Sequence, residues 1–318
     1  MRALRLSLFL LACACFGAQA AYPEKPIRLI LPSAAGGSVD ILMRVLAQQL
    51  SVQMGVSFVI ENKPGGSFVP GTMDIVRAAP DGYTLGYGNI VSLAINKSLQ
   101  PSLPYDVERD LTLITNCVRV FNMLAVSNNL PVRTVPELIE YAKKNPGKLS
   151  NGSSGNGTTG HLGGELFKVM TGTEILHVPY KGSPQAINDL MSGNLQVMFD
   201  NVPSIGPHVK AGRVRGLGVS APKRAAQFPD LPTIAETVPG YETDAWGGLI
   251  GPARLPRAIV QRLTDETRKA LAAPTVQERY RQLDTEPDGA GPEAFLELVR
   301  RETPRWAQVV KRSGAKLD

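Results

Sequence analysis

Residues 27–50 read IRLILPSAAGGSVDILMRVLAQQL, and this stretch decides the fold class. Five mostly apolar residues come first, a turn of Pro, Ser, Ala and Gly follows, and apolar residues then recur at three- and four-residue spacing. The first pattern is typical of a buried strand and the last of an amphipathic helix. We therefore predict a strand over Ile27–Leu31, a tight loop over residues 33–38 and a helix from Val39.

The same order of elements returns at residues 148–170, where a short strand leads into the loop NGSSGNGTTG, residues 151–160, and then into a helix. Other predicted strands alternate with helices, and residues 256–312 are mostly helical. Regular alternation of strand and helix predicts an α/β protein with largely parallel sheets. Two similar blocks predict two lobes, with the helical tail attached to one of them.

Composition excludes several classes of protein. The 318 residues are 43% hydrophobic and 19% charged, which is typical of a globular chain. The formal net charge of +6 is spread along the chain, and basic residues form no stripe interleaved with aromatics. We therefore expect no nucleic-acid partner.

The first twenty residues have the pattern of a cleavable signal peptide. Arg2 and Arg5 precede an apolar run, and Ala18-Gln19-Ala20 is a small-residue cleavage site. Cleavage would leave 32 basic and 28 acidic residues, a net charge of +4. Two alternatives are lipoprotein processing before Cys13 and a buried N-terminal helix. The preferred prediction is export as a soluble periplasmic protein.

Cysteine and histidine usage argues against covalent or metal stabilisation. The mature chain would keep only Cys117, so no intramolecular disulfide is possible, and its apolar surroundings predict a buried, inert thiol. His161, His177 and His208 match no metal-ligand spacing, so no metal is expected. The segment 155–160 matches a dinucleotide fingerprint by letter, but the motif is short and we expect no cofactor.

The two strand–helix loops, residues 33–38 and 153–159, are the strongest candidates for chemistry. Ligands of open α/β sheets bind beyond the carboxyl ends of strands, where both loops fall. Glycine lets the backbone approach a ligand closely, and helix N-termini attract anions. Two such loops, one per lobe, could clamp a carboxylate. The alternative is that both are ordinary turns and helix caps.

Asp200 ends a predicted strand and is ambiguous. It could line the cleft and bind a ligand hydroxyl or ammonium, or it could serve as a turn or cap residue. Ser153, His161 and Asp200 could also meet as the triad of an exported hydrolase, although nothing in their spacing requires it.

Several motifs together resemble the Bug family of periplasmic solute receptors, the binding-protein component of tripartite tricarboxylate transporters. The resemblance covers nearly all of the mature chain. Its most specific pieces are Pro32-x-x-x-Gly36-Gly37-x-x-Asp40 with Arg44, Glu61-Asn62-x-Pro64-Gly65, Ala79-Pro80-Asp81-Gly82-Tyr83-Thr84, residues 153–162 and His177-Val178-Pro179-Tyr180-Lys181-Gly182.

The resemblance implies a two-lobed, Venus-flytrap fold with the ligand in the interlobe cleft. Lobe 1 would combine residues 21–122 with 246–318, and lobe 2 would hold residues 123–245. Family members typically grip a ligand carboxylate with main-chain groups and ordered waters. The ligand-binding residues carried over by motif are Ser33, Ala34, Gly36, Gly37, Ser38, Ser153, Asn156, Gly157, Thr158 and Asp200.

The resemblance also implies a function without catalysis. The chain would be a monomeric receptor that closes on a small organic acid and presents it to a membrane permease. The acid could be a di- or tricarboxylate, an amino acid or an aromatic acid. The alternatives to a transport receptor are an exported hydrolase and a ligand sensor for a signalling kinase. Family members often carry an aromatic or bulky residue directly after the Pro that begins the first motif, Pro32 in this chain. Ser33 stands at that position, which predicts a more open or more polar pocket.

Overall fold

The structure is a computed structural model that describes residues 22–315. The predicted signal peptide and the alternative lipid site at Cys13 therefore lie outside the described residues. The strands are β1 Ile27–Leu31, β2 Phe58–Asn62, β3 Thr84–Asn89, β4 Leu111–Val126, β5 Leu149–Ser153, β6 Ile175–Pro179, β7 Val197–Asn201, β8 Arg215–Val219, β9 Asp244–Pro252 and β10 Glu286–Pro287.

The longer helices follow the predicted alternation. They are α1 Ser38–Met54, α2 Val69–Val76, α3 Val135–Lys144, α4 Thr159–Thr171, α5 Ser183–Ser192, α6 Val202–Lys210, α7 Arg257–Ala272, α8 Pro274–Gln282 and α9 Pro292–Ser313. Shorter helical turns cover Gly66–Phe68, Val91–Ile95, Asn96–Leu99, Val107–Asp110 and Ile234–Glu236. Among the described residues, no helix is both long enough and apolar enough to cross a membrane.

The sheet is mixed, which corrects the prediction of largely parallel sheets. Its order is β2-β1-β3-β9-β4-β7-β5-β6, with β8 and β10 each pairing with β4. The strand–helix blocks do form parallel groups, β2-β1-β3 and β6-β5-β7. However, β4 and β9 join these groups through antiparallel pairs. The α/β class is confirmed, and the antiparallel centre arises because the chain returns to the first group through β9.

Strand β4 belongs to both halves of the sheet. The apolar runs Leu111–Val120 and Met123–Val126 predict two separate strands, but residues 111–126 form one strand of 16 residues. Its first part pairs with β9 as far as Phe121, opposite Asp244. From Asn122, opposite Asn201, it pairs with β7 and β8. The two halves of the molecule are therefore joined through a continuous hydrogen-bonded strand.

Local sequence explains where the main helices begin and end. In α1 the side chains of Leu42, Leu46 and Leu50 share the buried face, and Gly55 ends the helix in the left-handed conformation that glycine adopts without strain. The Thr134 hydroxyl caps α3 by accepting from the Glu137 N–H at 3.2 Å. The spacing of Thr134 and Glu137 predicts a capping box, but only half of it forms, because the Glu137 carboxylate accepts from the Arg133 N–H rather than from the Thr134 N–H.

The helical tail packs on both halves, which differs from its expected attachment to one lobe. Helices α7 and α8 cover α1 and one face of β4 in the first half. Helix α9 buries Phe295 and Trp306 in a cluster that also contains Leu162 from α4, in the second half. The long apolar face of α9 explains this, since it is wide enough to contact helices from both half-sheets.

Gly248 provides a test of the shared centre of the sheet. A Cβ at this position would lie 1.9 Å from the Thr115 carbonyl oxygen and 2.6 Å from the Asn116 Cα, so backbone would have to move. We predict that Gly248→Ala lowers the free energy of unfolding by about 3 kcal/mol or more. Urea unfolding followed by circular dichroism measures this.

The matched control is Gly240→Ala. Gly240 has φ +83° with no atom within 4 Å of a Cβ, so alanine there has only the dihedral cost, about 1–2 kcal/mol. Equal losses for the two variants would contradict the close approach of β4 and β9.

Candidate ligand-binding site

A cavity of about 520 Å³ lies between the two halves of the molecule. The carboxyl ends of β1 and β7 and the loops after β2 and β5 contribute to its wall. Seven of the predicted ligand-binding residues line it, namely Ser33, Ala34, Gly37, Ser38, Asn156, Thr158 and Asp200. The other three, Gly36, Ser153 and Gly157, are not part of the wall. Ser153 and Gly157 are buried behind the lining residues, whereas Gly36 is exposed.

Asp40 shapes the first loop. One carboxylate oxygen, Oδ2, accepts from the Gly36 N–H and from Arg44 Nε, both at 2.9 Å. The other, Oδ1, accepts from Asn62 Nδ2 at 2.9 Å. Burial raises the pKa of this carboxyl, but the bonds from Arg44, Gly36 and Asn62 outweigh burial and hold it below the usual range. Asp40 thus fixes the loop and the start of α1.

Ser153 and Gly157 support the second loop from behind. The fully buried Ser153 hydroxyl lies 2.7 Å from His177 Nε2 and accepts from the Gly155 N–H at 3.2 Å. The Gly157 N–H donates to His161 Nδ1 at 2.9 Å. Gly157 has φ +76°, and a Cβ there would lie 2.7 Å from Leu99, so only glycine fits.

The rings of the two histidines behind this loop are stacked. The rings of His161 and His177 are 3.9 Å apart at their centroids and nearly parallel. Burial, with help from the charges of His161 and Lys168, lowers the pKa of His177 to about 3. His177 is therefore neutral at physiological pH and can stack on His161 without charge repulsion.

Asp200 is the buried acid of the cavity wall. The residue is only 4% exposed, and its Oδ1 accepts from the Ser183 hydroxyl at 2.8 Å. Its Oδ2 is buried and makes no hydrogen bond within the protein. Burial raises the pKa of this carboxyl to about 6, although Ser183, Ser204 and the Asn201 N–H lie near enough to oppose the rise.

Ser183 has a different role from the one expected. A Ser directly before a Pro, as in Ser183-Pro184, predicts a helix cap, but the N-cap of α5 is Gly182 and no side chain caps that helix. The Ser183 hydroxyl donates to Asp200 instead. Sequence periodicity could not show this, because the partner lies on β7.

Buried polar atoms collect at the cavity wall. Besides Asp200 Oδ2, the atoms Ser33 Oγ, Asn156 Oδ1 and Asn201 Oδ1 make no hydrogen bond within the protein. Buried polar groups in proteins are nearly always hydrogen-bonded, and water or a bound molecule can supply partners that the protein does not. The Ser33 hydroxyl makes this part of the wall polar.

The sequence analysis missed the loop after β2. Ser67 and Phe68 line the cavity with left-handed φ values of 49° and 70°, which are unusual for residues other than glycine. The Ser67 hydroxyl donates to the Asn156 carbonyl oxygen at 3.0 Å, and Asn96 Nδ2 donates to the Ser67 carbonyl oxygen. The turn Pro64-Gly65-Gly66 was the available signal, since it follows a strand parallel to β1.

The predicted hydrolase triad is not assembled. The Ser153 hydroxyl contacts His177 rather than His161, and it is not part of the cavity wall. Asp200 Oδ1 bonds to Ser183. Strand β5 directs Ser153 behind the loop, toward β6, which is why the three residues do not form a relay. Residues 22–315 contain no group of three or more His, Cys, Asp or Glu side chains placed to hold a metal ion.

Two half-sheets that enclose a ligand-sized cavity and share their central strands define a solute-binding receptor. The model of one family, the tripartite tricarboxylate transporter family receptor or TctC, matches residues 42–315. The chain belongs to this family, and the predicted resemblance to Bug proteins is confirmed.

Solved structures with the same fold cover nearly the whole chain. Rpa4515 of R. palustris, solved with adipate, is 38% identical with a TM-score of 0.91 over 93% of this chain and 100% of its own. The periplasmic binding protein BugD is 33% identical with a TM-score of 0.89, over 93% and 100%. MatC from Rhodopseudomonas palustris, solved with malate, is 26% identical with a TM-score of 0.86, over 91% and 100%. The predicted periplasmic-binding-protein fold is confirmed.

The buried carboxyl of Asp200 makes stability depend on pH. Because its pKa is raised to about 6 in the folded state, the folded protein gains stability from protonation below pH 4 and loses it as pH rises to 6. The loss is on the order of 3 kcal/mol. We predict that Asp200→Asn stabilises the ligand-free protein more at pH 7.5 than at pH 4, measured by urea unfolding.

The control for this prediction is Asp230→Asn. Asp230 is exposed, so its replacement should change stability little and equally at the two pH values. Should Asp200→Asn change the free energy of unfolding by the same amount at pH 4 and pH 7.5, the raised pKa would be wrong.

Proposed function

We propose that this protein is a periplasmic receptor for a small organic carboxylate, which it delivers to a tripartite tricarboxylate-type permease. The observation that carries the proposal is the cavity of about 520 Å³ walled by the two strand–helix loops. A volume of this size suits a small metabolite. Membership of the TctC family supports the same function.

Carboxylate binding follows from the donors at the wall. The first N–H groups of α1 and α4 have no partner within their helices, and the helix dipole makes these ends attractive to an anion. Ser33 and Ser38 add hydroxyl donors, whereas the Thr158 hydroxyl donates to the Gly155 carbonyl oxygen at 2.7 Å. The relatives solved with adipate and with malate hold small carboxylates. We propose that Ser33, Ala34, Gly37, Ser38, Asn156 and Thr158 contact the ligand, and that Gly36, Ser153 and Gly157 shape the loops.

We propose that lobe 1, residues 21–122 with 246–318, and lobe 2, residues 123–245, close around the ligand as rigid bodies. Strands β4 and β9, which run between the half-sheets, would form the hinge. Two contacts across the cavity support a closed state. Asn201 Nδ2 donates to Ser38 Oγ at 2.9 Å, and Ser67 Oγ donates to the Asn156 carbonyl oxygen at 3.0 Å.

Export by the signal peptide at residues 1–20 would place the mature protein in the periplasm, where BugD is described as a binding protein. In this proposal the protein is a monomer and is not an enzyme. A sensor kinase in place of the permease is the alternative partner. A pull-down from solubilised membranes with the ligand-saturated protein as bait would distinguish the two partners, since the captured protein would be either a permease or a kinase.

A screen of small organic acids tests the receptor function. A ligand that binds only the folded state stabilises it by about 2.7 kcal/mol at 100 times Kd, so a matching acid raises the melting temperature. We expect a shift from one class of acids that is absent with the corresponding amides. The protein should first be unfolded and refolded to release any retained ligand. A blank screen after that step would overturn the proposal.

The hydrolase alternative makes the opposite prediction about turnover. A receptor leaves its ligand unchanged, so incubation of the wild-type protein with carboxylate esters should release no product above background. If product appears and Ser153→Ala abolishes it, the protein is an enzyme.

The contact between Ser67 and Asn156 provides a test of closure. Ser67→Ala removes a hydrogen bond that joins the two halves only when the cleft is closed. A single such bond is worth about 0.5–1.5 kcal/mol, so we predict that Kd for the acid found in the screen rises roughly threefold to tenfold. Isothermal titration calorimetry measures the change.

Ser98→Ala is the matched control, because Ser98 is exposed and outside the cavity wall. An unchanged Kd for Ser67→Ala, within the error of the control, would show that this contact does not help to hold the ligand.

A further inference from the structure

A second groove, of about 970 Å³, lies behind β4 between the two halves of the molecule. Helix α8 and the turn into β10 form its first wall, and residues 221–226 form much of its second. We propose that opposite charges on these two walls attract each other and favour the open receptor, so that they set the ligand affinity without touching the ligand. This inference rests on the proposed receptor function, in which the two halves close around the ligand.

Strand β4 separates this groove from the ligand cavity. Arg119 and Phe121 line the groove, whereas the side chains of Val118 and Val120 point to the other face of the strand and line the cavity. The groove is wide in this structure, in which side chains of the two halves meet across the ligand cavity. A rotation about β4 that opens the cavity therefore brings the two walls of the groove together.

The first wall has an excess of negative charge. Arg281 and Glu278 on this wall pair with each other at 2.8 Å, and Arg119 pairs with a carboxylate of β9 at 2.9 Å. Asp284 and Glu286 also line the groove, and neither forms an ion pair with another described residue. The charges of this wall that are not neutralised by a neighbour are therefore acidic.

The second wall has the opposite charge. Lys223 and Arg224 line it, and both are exposed. Arg224 pairs with Glu236 at 2.9 Å, whereas Lys223 forms no ion pair within residues 22–315. Narrowing of the groove moves the Lys223 ammonium toward the acidic wall, where it would gain a partner that the closed form does not provide.

Asp284 shows that the halves already meet at one point of this groove. Burial raises the pKa of its carboxyl, and the N–H groups of Gln227 and Ala226 and the charge of Lys210 oppose the rise. These three residues belong to the second half of the molecule. The acidic wall is thus close enough to the second half for charges to act across the groove.

The variant Lys223→Glu replaces attraction across the groove with repulsion. The open form is then less favoured, so the Kd for the acid found in the screen should fall by about twofold to fivefold, the range expected for an exposed ion pair. Long-range attraction predicts the opposite sign, because the variant protein is more negative and its ligand is an anion. Isothermal titration calorimetry in about 0.01 M salt measures the change.

Lys148→Glu is the matched control, because Lys148 is an exposed lysine of the second half that lines neither the cavity nor the groove. It changes the net charge equally and should leave Kd unchanged or raise it. The double variant Lys223→Glu with Glu286→Lys restores opposite charges on the walls and the wild-type net charge, so its Kd should return to the wild-type value. In salt of about 1 M, where screening acts within about 3 Å, the gain of Lys223→Glu should disappear.

Failure of this inference differs from failure of the receptor function. If wild type binds the acid and Lys223→Glu binds it equally or more weakly, the inference is wrong while the receptor function stands. If the acid screen is blank, the receptor function is overturned, and small-angle X-ray scattering of the ligand-free proteins tests the charged walls alone. Lys223→Glu should then have a smaller radius of gyration than wild type and the double variant, and equal radii would overturn the inference.

Discussion

The structure depends on strand β4, which supplies backbone hydrogen bonds to both half-sheets. Its side chains alternate, as they must in a strand, so that Val118 and Val120 line the ligand cavity while Arg119 and Phe121 line a groove of about 970 Å³ on the other side. One strand therefore separates the two concave surfaces. Any rotation of one half about β4 would widen one surface and narrow the other, which is the geometry that a closing receptor requires.

Ion pairs to a buried carboxylate stabilise the end of the pairing between β4 and β9. Asp244, at the start of β9, is 2% exposed and accepts from Arg119 Nε at 2.9 Å and from Arg305 Nη1 at 3.2 Å. Arg305 also pairs with Glu302 on α9. A buried carboxylate is costly unless its partners are well placed, and here β4 and α9 each contribute an arginine to the Asp244 carboxylate of β9. The end of the β4–β9 pairing is thus fixed by ion pairs as well as by backbone hydrogen bonds.

The ligand cavity itself is built with few charges. Neutral N–H groups and hydroxyls surround its loops, and the groups that shape those loops, Asp40 behind the first and the stacked His161 and His177 behind the second, are turned away from the cavity wall. Neutral donors need little desolvation before they meet an anion, whereas a buried cation would. Asp200 is the exception, a buried acid whose carboxylate accepts from the Ser183 hydroxyl.

The sequence by itself determined the local elements and the two loops. Apolar periodicity located most strands and helices, because an element with one buried face has apolar residues at its own structural repeat. The glycines marked the positions where the backbone turns. It could not determine that residues 111–126 form one strand, that the sheet is mixed, or that Ser183 bonds to Asp200 instead of capping its own helix. It also missed Ser67 and Phe68. These features depend on contacts between residues far apart in the chain, and only the tertiary structure decides which of the locally allowed partners meet.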